Sequence, residues 1–184
     1  GWKVKTLDNA GLKAAAASLE QMVVDSGFTP DIVVGIASGG AILAELMFQQ
    51  TKHVEVRCSR PSSGRKSGII GSLIAILPRA INDRLRILEA RLLKAHGSPE
   101  RAVSFGINSI SSISHSKRIL IVDDAVDSGA TLKAVSEKIR QTAPDATIKS
   151  CAITITTDRP VATPDYALFN DNTLIRFPWS ADSK

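Results

Sequence analysis

Two apolar runs constrain this 184-residue chain more than any other feature: Ile32-Val-Val-Gly-Ile36 and Ile119-Leu-Ile-Val122. Neither alternates with polar residues, so neither can turn one face to water. A strand of this kind is buried on both faces, which calls for a parallel sheet covered by helices on each side. The flanking segments supply the rest of that architecture. Val4–Leu7 is short and β-prone, and Asp8 reads as the N-cap of a helix over Asn9–Asp25 that Gly27 closes. A Gly-Gly turn and a helix over Ala41–Gln50 follow the run that spans Asp31–Ile36, and His53–Cys58 alternates like a strand. After the run Arg118–Val122 the pattern predicts a helix over Thr131–Thr142, a strand over Thr147–Thr156 and a short strand over Thr173–Phe177. Strands separated by helices of this length form βαβ units. The expectation is an α/β fold: one domain over 1–184, with a doubly wound, mostly parallel sheet flanked by helices.

Residues 60–116 break the rhythm. They open with a polar loop, Arg60-Pro-Ser-Ser-Gly-Arg-Lys-Ser67, and close with a Ser-rich loop over Asn108–Ser116. Between them, Ile81, Leu85, Leu88 and Leu92 recur at helical spacing within Arg79–Ala95, beyond Pro78. A structureless loop of this length is uncommon in a compact domain, so the stretch reads as a flexible loop plus a helical insertion. It also carries the charge. Residues 57–118 hold 12 of the 23 Lys and Arg but 3 of the 18 Asp and Glu, for a net +9, and the remainder is −4. A uniformly basic coat for nucleic acid is a poor description of that distribution. The basic segment has Phe105 as its one aromatic residue, which argues against recognition by base stacking.

Cys58 and Cys151 cannot build a disulfide framework and have no zinc-type spacing. No apolar run approaches the roughly 20 residues that span a bilayer, so a soluble cytoplasmic protein without a membrane partner is the expectation. His53, His96 and His115 share no helical or metal-binding spacing and read as surface or structural residues.

The chemistry concentrates in Ile119-Leu-Ile-Val-Asp-Asp-Ala-Val-Asp-Ser-Gly-Ala-Thr131. A buried strand runs into two adjacent carboxylates, then a short turn, then a helix. In open α/β sheets, ligands bind beyond the carboxyl ends of the strands, where Asp123 and Asp124 fall. The turn Asp127-Ser128-Gly129-Ala130-Thr131 opens a helix. It combines unpaired backbone amides, the positive end of the helix dipole, a glycine for close approach and two hydroxyls, which together make a phosphate cradle. Paired carboxylates beside such a cradle suit sugar hydroxyls and hydrated Mg²⁺. These residues alone point to a sugar-phosphate site. An Asp-Asp pair after a strand also occurs in phosphoacceptor receiver domains, but there it lies near the N-terminus, unlike here.

This motif closely resembles the signature of the type I phosphoribosyltransferases, which bind 5-phosphoribosyl-1-pyrophosphate (PRPP). The resemblance extends to Val33-Val-Gly-Ile-Ala-Ser-Gly-Gly40, in the position of the family's pyrophosphate loop. It also extends to Leu174-Ile-Arg-Phe-Pro-Trp-Ser180, similar to the hood over the base site in bacterial 6-oxopurine enzymes. It implies that Asp123 and Asp124 hold the ribose hydroxyls of PRPP, directly or through Mg²⁺, and that Asp127–Thr131 hold the 5′-phosphate. Ala37, Ser38, Gly39 and Gly40 would meet the pyrophosphate with backbone amides, one peptide there often being cis in the family. Arg60, Arg65 and Lys66 would close over it. Asp127 would act as general acid/base toward a purine-like ring nitrogen. Thr156, Leu174, Ile175, Phe177 and Trp179 would line the base site, and a homodimer fits the family.

The chain departs from the purine branch at two places. Ser38 stands where a basic residue is common, and Thr156 stands near the place of a Lys that binds the purine 6-oxo group. Two function classes follow: a phosphoribosyltransferase acting on a purine-like or other nucleobase, and a non-catalytic PRPP- or nucleotide-sensing regulator on the same fold. The intact Asp127 favours the first, because a sensor has no need of a general base.

Overall fold

The computed structural model describes residues 3–59, 101–170 and 173–180. Eight strands and four helices occur among them. They are β1 (Lys3–Thr6), α1 (Asn9–Asp25), β2 (Ile32–Ile36), α2 (Gly39–Glu45), β3 (Lys52–Ser59), β4 (Ala102–Phe105), α3 (Ile107–Ser114), β5 (Arg118–Val126), α4 (Ala130–Thr142), β6 (Thr147–Ile155), β7 (Tyr166–Phe169) and β8 (Thr173–Arg176). Six strands form one sheet in the order β4-β3-β2-β5-β6-β7, and β1 pairs with β8 in a separate two-stranded ribbon. Every pairing is parallel except that of β4 with β3. The α/β, mostly parallel architecture expected from the sequence is the one observed.

The two apolar runs lie side by side at the centre, Ile32 opposite Ile119 and Gly35 opposite Val122. Their side chains divide between two cores. Val33, Leu120 and Val122 pack with α1 and α2 through Leu12, Leu19, Val23 and Leu43. Ile32, Val34, Ile119 and Ile121 pack on the other face with Ile113 of α3 and Leu132, Val135 and Ile139 of α4. The result is three layers, α/β/α. Each fully buried aliphatic side chain stabilises it by about 1.5–3 kcal/mol. The Asp8 carboxylate caps α1, accepting from the Gly11 amide at 2.7 Å. No helix among the described residues is long and apolar enough to cross a membrane.

Three local expectations are corrected. The helix expected to reach Gln50 ends at Glu45. There the Leu46 and Met47 amides bond to Leu43 and Ala44 in tighter turns, and Phe48 takes φ +46° with its amide held by Glu20. The Ser-rich stretch expected as a loop is largely helix α3. Ile113 is fully buried there, and the hydroxyls of Ser112 and Ser116 fold back onto carbonyls four residues earlier, where they no longer compete with the helix. Ala102–Phe105 is an edge strand of the main sheet, so the break in the βαβ pattern ends near residue 101 rather than 116. The expected helix over Arg79–Ala95 lies outside the described residues.

Candidate active site

The strand order locates a crevice. From β2 the chain crosses through α2 to β3 on one side, and from β5 it crosses through α4 to β6 on the other. The carboxyl ends of β2 and β5 are therefore the switch point of the sheet, where such folds leave an opening for ligands. Ala37–Gly40 follow β2 at this opening, and Asp123–Thr131 lie along the end of β5.

The acidic pair belongs to the strand itself. β5 runs on to Val126, pairing Asp123 with Ala152 and Val126 with Ile155 of β6, so both carboxylates stand on a rigid element. Asp123 is buried, and its Oδ1 accepts from the Asp124 amide at 3.0 Å. Asp124 is half-buried and pinned through both oxygens: Oδ1 accepts from the Ala125 amide at 2.9 Å and Oδ2 from Trp179 Nε1 at 3.1 Å. Burial, reinforced by the Asp124 charge, raises the Asp123 carboxyl from its ordinary 3.8 to about 8.

That shift has a consequence in the metal-free protein. Asp123 binds its proton more tightly folded than unfolded, so its contribution to stability falls as pH rises from about 4 to about 8. Asp123→Asn keeps an oxygen for the Asp124 amide and removes the charge. Its melting temperature is expected to exceed that of the wild type at pH 8, with the gap closing toward pH 4, by calorimetry across that range. Equal melting curves at pH 8 would show that Asp123 is not strained by its charge.

The next turn is built on a glycine. Gly129 caps α4 in the left-handed conformation at φ +78°, and a Cβ there would stand 2.5 Å from the Ala162 carbonyl oxygen. The loop after β6 presses against the turn, with the Val161 amide donating to the Ser128 carbonyl at 2.8 Å. The Ser128 hydroxyl accepts from the Ala130 amide at 3.3 Å. Asp127 is exposed, and its Oδ1 accepts from the Thr156 hydroxyl at 3.1 Å.

The loop after β2 closes on this strand end. The Ala37–Ser38 peptide is cis, and the Ala37 amide donates to the Val56 carbonyl of β3 at 2.8 Å. Gly39 and Gly40 are buried against β5. A Cβ on Gly40 would lie 2.5 Å from the Val122 carbonyl oxygen and 2.8 Å from Asp123 Cα. One on Gly39 would overlap the Asp124 carboxylate and lie 2.8 Å from Trp179 Nε1. The glycines thus let the loop reach the acidic pair.

The structure gathers Ala37–Gly40, Asp123, Asp124, Phe177 and Trp179 around the carboxyl ends of β2 and β5. It brings Thr156 to Asp127. Phe177 and Trp179 stack with ring centroids 5.0 Å apart. Leu174 is exposed, whereas Ile175 is buried in the core beneath the hood. Ile175 was expected at the base site. Alternation along β8 turns it inward, on the side shared with Thr173. Arg60, Arg65 and Lys66 lie outside the described residues. The contacts of Val161 and Ala162 with the turn at Ser128–Gly129 had no counterpart in the sequence reading.

A divalent cation suits the acidic pair. No group of three or more His, Cys, Asp or Glu side chains converges among the described residues. Mg²⁺ needs no such cage, since it is commonly held by one or two carboxylates, waters and substrate phosphates. The strained Asp123–Asp124 pair offers the negative charge such an ion would neutralise.

The sequence profile of the phosphoribosyl transferase domain matches residues 4–183. Among solved structures, the xanthine-guanine-hypoxanthine phosphoribosyltransferase of Helicobacter pylori superposes with a TM-score of 0.67 at 18% identity, over 97% of this chain and 95% of that one. The purine phosphoribosyltransferase of Pyrococcus horikoshii Ot3 gives 0.60 at 20% identity, over 96% and 94%. A hypothetical protein from Neisseria gonorrhoeae, solved with bound ppGpp, gives 0.66 at 14% identity, over 100% and 93%. At these identities the likeness is one of fold. No curated protein sequence matches the chain.

Proposed function

Since the chain belongs to the phosphoribosyltransferase family, we propose that it transfers the 5-phosphoribosyl group of PRPP to a purine-like nucleobase, with Asp127 as general acid/base. The observation that carries this reading is the juxtaposition at one strand end of the Asp123–Asp124 pair, the Ser128–Thr131 turn and the Thr156-bonded Asp127 carboxylate.

In this reading the turn opening α4 takes the 5′-phosphate with backbone amides and the hydroxyls of Ser128 and Thr131. Asp123 and Asp124 take the ribose hydroxyls. Ala37–Gly40 take the pyrophosphate through backbone amides, with no basic side chain in that loop. The family generally uses Mg²⁺ with PRPP, and Asp123 and Asp124 are the residues that would hold it here, where it would offset pyrophosphate charge. As the ribose C1–oxygen bond to pyrophosphate breaks, a ring nitrogen of the base bonds to C1, and its proton leaves to Asp127. Thr156 holds Asp127 Oδ1, which leaves Oδ2 for that proton. The protein gains most by fixing the reactants in line and by stabilising charge on the leaving group.

Thr156 also bears on the acceptor. With its hydroxyl hydrogen committed to Asp127, its oxygen is left as an acceptor, which favours a base bearing a hydrogen-bond donor over a bare 6-oxo group. A panel of amino- and oxo-purines and pyrimidines, each with PRPP and Mg²⁺, is expected to yield pyrophosphate with at least one base, read by a coupled phosphate assay. Silence across the panel, with PRPP or a guanine nucleotide still bound tightly by calorimetry, would replace transfer with a sensing role. The departures at Ser38 and Thr156 and the ppGpp held by the Neisseria gonorrhoeae neighbour are what favour that second reading.

A further inference from the structure

The C-terminal hood is bolted to the acidic pair, and one indole makes the connection. Trp179 Nε1 donates to Asp124 Oδ2 at 3.1 Å. Several contacts put it there. The Thr154 hydroxyl of β6 donates to the Thr173 carbonyl at 2.8 Å and anchors the start of β8. β1 pairs along β8 from Thr173 to Arg176, and the Leu7 amide extends the pairing to the Arg176 carbonyl at 2.9 Å. Phe177 and Ser180 then close a turn on each other, the Phe177 amide to Ser180 Oγ and the Ser180 amide to the Phe177 carbonyl, both at 2.9 Å. The buried Phe177 ring stacks on Trp179 with an interplanar angle of 2° and fixes the plane of the indole. Gly39 leaves the room in which carboxylate and indole meet.

The contact acts on a group the reaction needs. Each carboxylate oxygen accepts along more than one direction. With Ala125 on Oδ1 and Trp179 on Oδ2, the Asp124 plane is set while each oxygen keeps capacity toward the crevice. An indole suits this role because it only donates and carries no charge, so it orients the carboxylate without neutralising it. It also stands where three segments converge, the loop after β2, the end of β5 and the hood.

We propose that Trp179 is a positioning residue: its indole N–H orients the Asp124 carboxylate for PRPP and the metal that carboxylate would hold, and so couples the hood to the ribose site. This rests on the transferase reading above, and the experiment separates the two. Trp179→Phe keeps an aromatic ring for stacking on Phe177 and deletes the donor. Hydrogen bonds to charged groups are strong enough that PRPP with Mg²⁺ should bind about tenfold more weakly to the variant by calorimetry. The KM for PRPP should rise in step, kcat should change by less than about threefold, and the melting temperature should stay near that of the wild type. Unchanged or tighter binding in a folded variant would overturn the proposal, tighter binding showing that the indole competes with substrate for Oδ2. A wild type that binds no PRPP would instead overturn the transferase reading.

A second measurement needs no change at Trp179. The chain has two tryptophans, Trp2 and Trp179. In Trp2→Phe, Trp179 is the remaining indole, bonded to a carboxylate that would hold the metal, so its emission should shift when PRPP and Mg²⁺ are added together. An unmoved spectrum under saturating PRPP would count against the coupling.

Discussion

Asp127→Asn is expected to lower kcat by about 10²–10⁴-fold, the usual worth of a positioned general acid or base, with the PRPP dissociation constant changed by no more than about threefold. The split follows from the geometry. Asparagine is nearly isosteric and its amide oxygen still accepts from the Thr156 hydroxyl, so the turn into α4 and the phosphate cradle stay in place. The lost ability is that of taking a proton from the base as the bond to C1 forms. Single-turnover kinetics together with calorimetric titration of PRPP check it. A loss of PRPP affinity matching the loss of turnover would reassign Asp127 to phosphate binding, and full turnover would remove it from the proton path.

The second large effect is structural in origin. Gly40→Ala is expected to lower stability by about 3 kcal/mol, the upper end of typical overpacking costs, which for a chain of this size is about 6–12 °C in melting temperature. The added Cβ would meet the Val122 carbonyl oxygen at 2.5 Å and Asp123 Cα at 2.8 Å, both backbone atoms of the central strand that cannot swing aside. Relief requires the loop after β2 to lift from the end of β5, which carries Ala37–Gly40 away from the acidic pair. PRPP binding should therefore weaken by more than about tenfold even below the melting transition. Gly106→Ala is the control, because its Cβ would meet only the movable hydroxyl of Ser109 at 3.2 Å. Thermal melts and PRPP titrations of both variants make the comparison. A Gly40→Ala protein with wild-type stability and affinity would mean that the loop does not sit against β5 as described.

How much of this was legible beforehand depended on how local each cause is. The buried strands announced themselves because Ile32–Ile36 and Ile119–Val122 need apolar partners on both faces, and composition records that need directly. The acidic pair and the glycine turn were legible because strand, carboxylates, αL glycine and helix start are contiguous, so one short window holds the whole device. α3 was not, because serines read as loop until the burial of Ile113 and the back-bonding of the hydroxyls are known. β4 and β7 were not, because four-residue edge strands carry little periodicity and owe their existence to neighbours already in place. That Ile175 and not Leu174 turns inward was not legible, because it depends on what β8 packs against.

The amino-acid sequence by itself determined the parallel α/β class, the two buried central strands and the place of Asp123, Asp124, Asp127 and the Ser128–Thr131 turn at the end of one of them. These follow from burial preference and local backbone geometry, which act over a few residues. Only the tertiary structure decided that Trp179 holds Asp124, that Thr156 holds Asp127, and that Gly39 and Gly40 lie against β5. Those partners are 55 and 29 residues apart in the two hydrogen bonds. Contacts so distant form through the packing of whole strands and loops, and no periodicity or propensity in the chain encodes which side chains that packing will bring within 3.1 Å.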